Sequence, residues 1–443
     1  MFPKAPLYIE NNLEKRSQLY QKRRQWLMDK SSGPVVLISP AKGPNQDYAW
    51  AHCFQPVFQD SYILFLTGIN QTGISFIFDP KTKKEYIFLP DYNSEDVFWN
   101  GQTFSFGNEE SYSFLKKNGF SDIHSIHDFK TILLSLNRSS LNWHLLLEKT
   151  GKKFRRNESY FLKKYLRRQF TQSFQHTNIS DLSWEHRLIH DALDVGALTV
   201  GLQKTCAAFQ KTICDSFNSE QSLSGQLIGN LLKETPYGLA FPPIIARNEN
   251  AAILHYTDNS VGFQKNDLIL MDFGLRWESM CSDISRTIPY GGKYTDLQKR
   301  LVSIVLDVQI ETIQQVKAGI TFNQLNTFAW SLLEKSLETN FTNKGGKMRR
   351  LYKKQPHNIG HLLGIQVHDG DANRDYRKDA LPAHSIITIE PGLYGAFELN
   401  GEAIECGIRI EDNILVTSDG HVNLSVAIPK SCDDIEALMK RSD

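Results

Sequence analysis

The sequence predicts two domains: an α/β amino-terminal domain and, after it, an α+β domain with a curved, mainly antiparallel sheet. Three observations lead there. The chain has 443 residues, more than one hydrophobic core usually supports. Over roughly its first 170 residues, short apolar runs bounded by Gly, Pro and Asp alternate with helix-compatible stretches. From Asp181 onward the texture changes to long helical stretches interleaved with strand-like runs that can fold back as hairpins. The expected boundaries are 1–172 for the first domain and 177–443 for the second, with "QHTNIS" (175–180) read as a linker.

In chain order, the charged opening stretch up to Lys30 is helix-compatible. "GPVVLISP" reads as a buried strand and "DSYILFLTG" as another, while "TGISFIFDP" and "KTKKEYIFLP" read as a hairpin turned at Pro80. "GKKFRRNESYFLKKYLRRQF" is a helix in which Phe161, Tyr165 and Leu166 form an apolar stripe and the basic residues a solvated face. In the second domain, 181–209 reads as one long helix, with further helices at 222–234, 297–317 and 322–338. Strands are expected in "DLILMDFGLRW", "CSDISRTIPY", "SIITIEPGLYG" and "GIRIEDNILVT", and a basic loop at 344–355.

Composition removes several classes of function. With 50 basic and 49 acidic side chains the net charge is +1, so no global field draws the chain to nucleic acid or an anionic membrane. The six cysteines contain no C-x-x-C pair and are too sparse for a disulfide scaffold, which points to free thiols in a reducing compartment. The first thirty residues lack the apolar segment of a signal peptide, and no apolar run approaches the ~20 residues that span a bilayer. The expectation is a cytoplasmic protein without nucleic-acid or membrane partners.

The chemistry concentrates in two places. Asp272, Asp283, Glu390 and Glu411 each sit inside an apolar strand-like run, where a charge is costly unless paired or bound to metal. Asp272 and Asp283 flank a predicted turn, and Glu390 and Glu411 can be paired in the same way. "HNIGHLLGIQVHDG" then brings His357, His361 and His368 within twelve positions. "HNIGH" has the spacing of a zincin helix, but Asn358 stands where the Glu is needed, and Gly360 and Gly364 weaken a helix. A better reading is one ligand histidine plus groups that contact substrate, beside carboxylates suited to Mn²⁺, Co²⁺ or Zn²⁺.

The order and context of these residues resemble the dinuclear "pita-bread" metallopeptidases. "MDFG", "SDISRT", "GHLLGIQVHD", "TIEPGLY" and "GIRIEDN" are similar to the Xaa-Pro aminopeptidase and prolidase branch, and "FQDSYILFLTGIN" and "SEDVFWNG" resemble its creatinase-like first domain. The resemblance implies two divalent ions per subunit, Mn²⁺ ahead of Co²⁺ or Zn²⁺, held by Asp272, Asp283, His361, Glu390 and Glu411. Within that set it implies that Asp283 and Glu411 bridge the two ions and that Glu390 shuttles the proton. By the same resemblance His255 and His368 contact substrate, His357 lines a proline pocket, and Arg409 pairs with a ligand carboxylate or the substrate. Asp60 and Trp99 would reach a neighbouring subunit's site in a homodimer or homotetramer.

The implied activity is removal of an N-terminal residue from peptides with proline second. The alternatives are a prolidase restricted to dipeptides and a non-catalytic pita-bread binding module, which would lack the ligand set. Three positions depart from the family pattern: Asn358 where Gly is common, expected to tolerate positive φ; Phe241 where Tyr is frequent; and Phe58 where Arg is often found.

Overall fold

In the computed structural model, residues 13–40, 59–100, 102–136, 142–147, 149–150, 153–154, 157–170, 174–352, 355–370 and 375–440 are described. Two compact units result, one ending at Arg187 and the next beginning at Leu188.

The first unit holds helices α1 (Leu13–Asp29), α2 (Ser61–Thr67), α3 (Ser94–Asn100), α4 (Glu109–Lys117), α5 (Phe129–Ser135), α6 (Glu158–Gln169) and α7 (Ser180–Arg187). Its strands are β1 (Val35–Ile38), β2 (Ser75–Asp79), β3 (Lys84–Leu89), β4 (Asp122–Ser125), β5 (Asn142–Leu145), the two-residue β6 (Lys149–Thr150) and β7 (Lys153–Phe154), and β8 (Gln175–Asn178). Six of them form a mixed sheet in the order β4-β3-β2-β1-β5-β8. The predicted hairpin is present, β2 pairing antiparallel with β3. Helix α1 docks through a buried cation: Arg24 donates to Glu85 Oε2 (2.7 Å), Leu66 O (3.2 Å) and Asn118 O (2.8 Å). Trp143, Val36, Phe88, Leu162 and Leu166 share one core cluster.

Three expectations in this unit are corrected. "DSYILFLTG" is the helix α2, not a strand. Asp60 accepts from the backbone N–H groups of Tyr62 and Ile63, and Gly68 ends the helix at φ 68°. All of Tyr62–Thr67 is buried, so a continuous apolar run gave no periodicity to tell helix from strand. "QHTNIS" contributes the edge strand β8, parallel to β5, and the Asn178 side chain satisfies both backbone groups of Leu147. In α6 the docked residues are Leu162 and Leu166, whereas Phe161 faces solvent beside the basic residues.

The second unit contains α8 (Ala192–Cys214), α9 (Glu220–Glu234), α10 (Asp296–Ile313), α11 (Phe322–Asn340) and α12 (Cys432–Met439). Its strands are β9 (Ile244–Arg247), β10 (Leu268–Phe273), β11 (Arg276–Trp277), β12 (Met280–Cys281), β13 (Ile284–Pro289), β14 (Lys347–Arg350), β15 (Ile386–Ile389), β16 (Gly392–Leu399), β17 (Glu402–Arg409), β18 (Asp412–Val416) and β19 (His421–Asn423). They assemble as β13-β10-β9, β11-β12, β14-β16-β17 and β15-β18-β19, and every pairing is antiparallel.

The long helix expected over 181–209 is two helices. Asp191 caps α8 by accepting from Leu193 N (2.7 Å) and Asp194 N (3.2 Å), which starts a new helix after α7 ends at Arg187. The expected basic loop at 344–355 contains the strand β14, whose Lys347 and Arg349 pair with Glu398 and Glu405. Asn358 is absent from the residues with positive φ, so backbone tolerance does not explain it. The described cysteines, 206, 214, 281, 406 and 432, are free thiols. Among the described residues no helix is long and apolar enough to cross a membrane.

Candidate active site

Two close backbone approaches build the site. Strands β10 and β13 form the predicted hairpin with Asp272 opposite Ser285, so Asp272, Ser285 and Asp283 lie on one face. The hairpin closes only with glycine at 274, because a Cβ there would lie 1.8 Å from Ser282 O. The histidine segment does not form a helix over 357–370. Instead it runs beside β15: Thr388 N donates to His361 O (2.9 Å) and Glu390 N to Ile359 O (2.8 Å). Gly360 permits this, since a Cβ there would sit 1.9 Å from Thr388 O. His361 and Glu390 are thereby held together. Glu411 follows from register, because β15 pairs with β18 as Ile389 opposite Asp412.

The result is one cluster. His361 Nε2 lies 3.3 Å from Asp283 Oδ2, 3.7 Å from Glu390 Oε1 and 3.9 Å from Glu411 Oε1. Asp283, His361 and Glu411 each offer a donor atom, all within 4.8 Å of one another. Asp272 joins through Arg409, whose Nη2 is 2.6 Å from Asp272 Oδ2. Arg409 also donates to Ser285 Oγ (2.8 Å), and Ser285 donates to Glu411 Oε2 (2.7 Å).

Four carboxylates facing one guanidinium strain the electrostatics. Burial pushes Asp283 and Glu390 well above the usual carboxylate range, and the Glu411 charge adds to both shifts. Glu411 is pushed up to about 7 by burial and by Asp272. Arg409 is held charged: burial alone would lower it, but Tyr394, Asp272, Glu390 and Glu411 outweigh that.

These residues fit a pair of divalent cations. Asp272 Oδ1 and Glu411 Oε1 are buried without a hydrogen-bond partner. His361 Nδ1 bonds Leu362 O (3.0 Å), which fixes the proton there and turns the Nε2 lone pair toward three carboxylates. A lone pair aimed at carboxylate oxygens is stable only with a proton or a cation between them, and a divalent ion can satisfy several of these acceptors at once. The set of hard oxygens and one imidazole suits Mn²⁺, Co²⁺ or Zn²⁺.

Around the cluster, His357 Nδ1 donates to Asn358 O (2.7 Å), so its Nε2 accepts from Tyr394 Oη (3.0 Å). Burial, and next the Arg409 charge, push His357 down to about 4, leaving it neutral. The Trp330 ring stands edge-on to it at 5.5 Å. The exposed His368 ring lies 4.3 Å from that of His361. His255 is exposed on the turn after Ala252, and none of the hydrogen bonds or ion pairs of the cluster includes it. Asp60 spends one oxygen capping α2; Trp99 lies in α3, and Phe58 lies outside the described residues. Phe241 packs where a Cβ on residue 274 would be 3.3 Å from its ring.

Sequence reasoning missed Ser285, Thr388 and Tyr394, which orient Glu411, His361 and Arg409. The signal available was position: each is a hydroxyl on the same strand as a candidate ligand, or on the strand next to it.

Comparison with known proteins identifies the family and the fold. Residues 199–418 match metallopeptidase family M24, and residues 20–144 match the aminopeptidase P N-terminal domain. The chain is 30% identical over 389 residues to "Intermediate cleaving peptidase 55, mitochondrial" of Arabidopsis thaliana, covering 86% of this chain and 75% of that one. It is 26% identical to "Probable Xaa-Pro aminopeptidase PEPP" of Phaeosphaeria nodorum, covering 95% of each. Among solved structures, Icp55 of Saccharomyces cerevisiae superposes with a TM-score of 0.79 at 23% identity, over 96% of this chain and 98% of that one, a likeness of fold.

Proposed function

The chain belongs to the Xaa-Pro aminopeptidase branch of metallopeptidase family M24, and from that membership we propose the chemistry of its site. It is a metal-dependent aminopeptidase that hydrolyses the bond between an N-terminal residue and a following proline. The observation that carries the site assignment is the buried donor cluster with two unpartnered carboxylate oxygens and a lone pair turned into it. Asp272, Asp283, His361, Glu390 and Glu411 would hold two divalent ions, Mn²⁺ by preference, with Asp283 and Glu411 shared. When bound, the ions polarise the scissile carbonyl and lower the pKa of water enough to supply the nucleophile near neutral pH.

The chain's own residues do the rest. Glu390 takes the proton and returns it to the leaving proline nitrogen. Arg409 holds Asp272 in place and, through Tyr394, fixes the neutral His357, which lines the proline pocket with Trp330. His368 and His255 steady the substrate carbonyl. We assign the unit that begins at Leu188 to catalysis and the unit that ends at Arg187 to recognition of the substrate's amino end. The free thiols fit a reducing compartment, and the cytoplasm is the proposed one.

Turnover of Ala-Pro, Ala-Pro-Ala and Ala-Ala-Ala by metal-analysed protein tests this reading. Cleavage of Ala-Pro-Ala with release of Ala is expected, and Ala-Ala-Ala should be cut far more slowly. Hydrolysis of Ala-Pro alone would mark a prolidase.

Changing His368 or His255 to Ala should lower kcat by ~10²-fold, the scale of one lost stabilising donor, with metal stoichiometry unchanged. A variant purified with less metal would move that histidine among the ligands.

We further propose a homo-oligomer, at minimum a two-fold dimer, in which Asp60 and Trp99 reach a neighbouring subunit's site. Asp60→Ala would also cost about 1 kcal/mol of helix capping. Asp60→Asn keeps a capping oxygen and removes only the charge, so it should raise KM for tripeptides without lowering Tm. Light scattering showing a monomer with full activity would overturn the proposal.

A further inference from the structure

The two carboxylates proposed to be shared, Asp283 and Glu411, stand on segments 128 positions apart in a chain of 443 residues. Each is fixed by a residue next to the other. Arg286, three positions after Asp283, donates to Glu411 O (2.7 Å) and to Asp412 Oδ1 (2.8 Å). Asn413, two positions after Glu411, accepts from Asp283 N (3.2 Å) and donates to Asp283 O (2.5 Å). Strand pairing does not require this reciprocity: the ladder partner of β13 is β10, and those of β18 are β15 and β19. Between the two segments the backbone itself contributes Glu411 N to Ser285 O (3.1 Å), and the side chains of Arg286 and Asn413 add to it.

Strand alternation explains the placement. Ser285 faces the metal cluster and bonds Glu411 Oε2, so Arg286 points to the opposite face of the strand. Glu411 and Asp412 divide in the same way. Behind the site, Arg286 is 1% exposed and directs its remaining donors to Ser285 O (2.9 Å), Ile428 O (3.0 Å) and Pro429 O (2.8 Å). Asp412 is fully buried and takes Lys430 Nζ (2.6 Å) and Asn423 Nδ2 (2.8 Å) on its other oxygen. Lys430 continues to Gln309 Oε1 (2.7 Å) on α10.

A buried ion pair of this kind is weak evidence for stability, because its desolvation cost offsets much of its attraction. Its other use is geometric. A guanidinium with its donors spent in fixed directions allows one register between the strands it joins.

We propose that Arg286 and Asn413 are positioning residues that set the separation of Asp283 and Glu411 and thereby the affinity of the site for divalent cations. Neither side chain touches the ions; each acts through the backbone of a ligand. The inference rests on the metallopeptidase reading and extends it to residues on the reverse of the strands.

The test uses full-length protein stripped of metal and titrated with Mn²⁺ by competition against a chromogenic chelator. Arg286→Lys keeps the charge facing Asp412 but cannot span Glu411 O, Ile428 O and Pro429 O together. Asn413→Ala removes both bonds to Asp283. Each should weaken Mn²⁺ binding by ~10–100-fold, the range for outer-shell partners of metal ligands. Arg247→Lys, which disturbs the Arg247–Asp267 pair (2.6 Å) on β9, serves as the control. It should lower Tm and leave Mn²⁺ affinity unchanged. Mn²⁺ affinity within about twofold of wild type in both variants, with Tm lowered as in the control, would overturn the proposal. If Arg286→Lys does not fold, Asn413→Ala decides alone. A wild-type chain that takes up no Mn²⁺ would sink the metallopeptidase reading instead, a result visible before any variant is made.

Discussion

Asp283→Ala is expected to abolish turnover while leaving the chain folded. Asp283 lies nearest His361 Nε2 among the carboxylates, at 3.3 Å, and shares its face of the hairpin with Asp272 and Ser285. Losing it removes a donor from both proposed ions at once, so kcat should fall ~10³-fold or more, beyond what one transition-state donor supplies. Stability should move the other way in metal-free protein. Asp283 is buried beside Glu411 and Asp272, and removing one of three crowded acids relieves repulsion and desolvation together. The paired measurement is kcat with metal analysis and calorimetry of the metal-free forms. Normal turnover by Asp283→Ala protein would dismiss the ligand assignment.

Chelation should destabilise the wild type, and more so at high pH. Binding to the folded state alone contributes RT ln(1 + [L]/Kd), about 4 kcal/mol when free metal is 1,000-fold above Kd. The pH dependence follows from the acids. Glu411 titrates near 7 when folded against 4.5 as its ordinary value, and Asp283 and Glu390 are shifted the same way. Between about pH 4.5 and 7 the metal-free folded state therefore holds more protons than the unfolded one, and its stability falls as pH rises through that window. Bound cations hold the same carboxylates ionised and remove the dependence. Thermal melts with and without chelator at pH 6 and pH 8 check this. An equal Tm loss at both values would mean that the acids are not strained as described.

The carboxylates proposed as ligands stood out in the sequence because their cost did. A carboxylate inside an apolar strand pattern is anomalous in one dimension, and Asp272, Asp283 and Glu411 each show it within their own few residues. Gly274 and Gly360 were visible but mute, since only the folded chain reveals the carbonyl each must admit. Helix α2 was misread because burial on every side erases periodicity, and β8 because four polar residues on a sheet edge look like a linker. Arg286 and Asn413 could not be found. They act across more than a hundred positions, and nothing local marks them. Asp60 and Trp99 are different again, because their proposed role belongs to a second copy of the chain.

The bonds from Arg286 to Ile428 and Pro429 also fix when the site can exist during synthesis. Asp283 leaves the ribosome long before Glu411, and Arg286 gains its last partners only when the chain is complete to about Lys430. Contacts of such sequence separation form late, after the loop between them has been closed. A nascent chain therefore keeps these acids unassembled until residues 428–430 have been made, well over a hundred positions after Asp283.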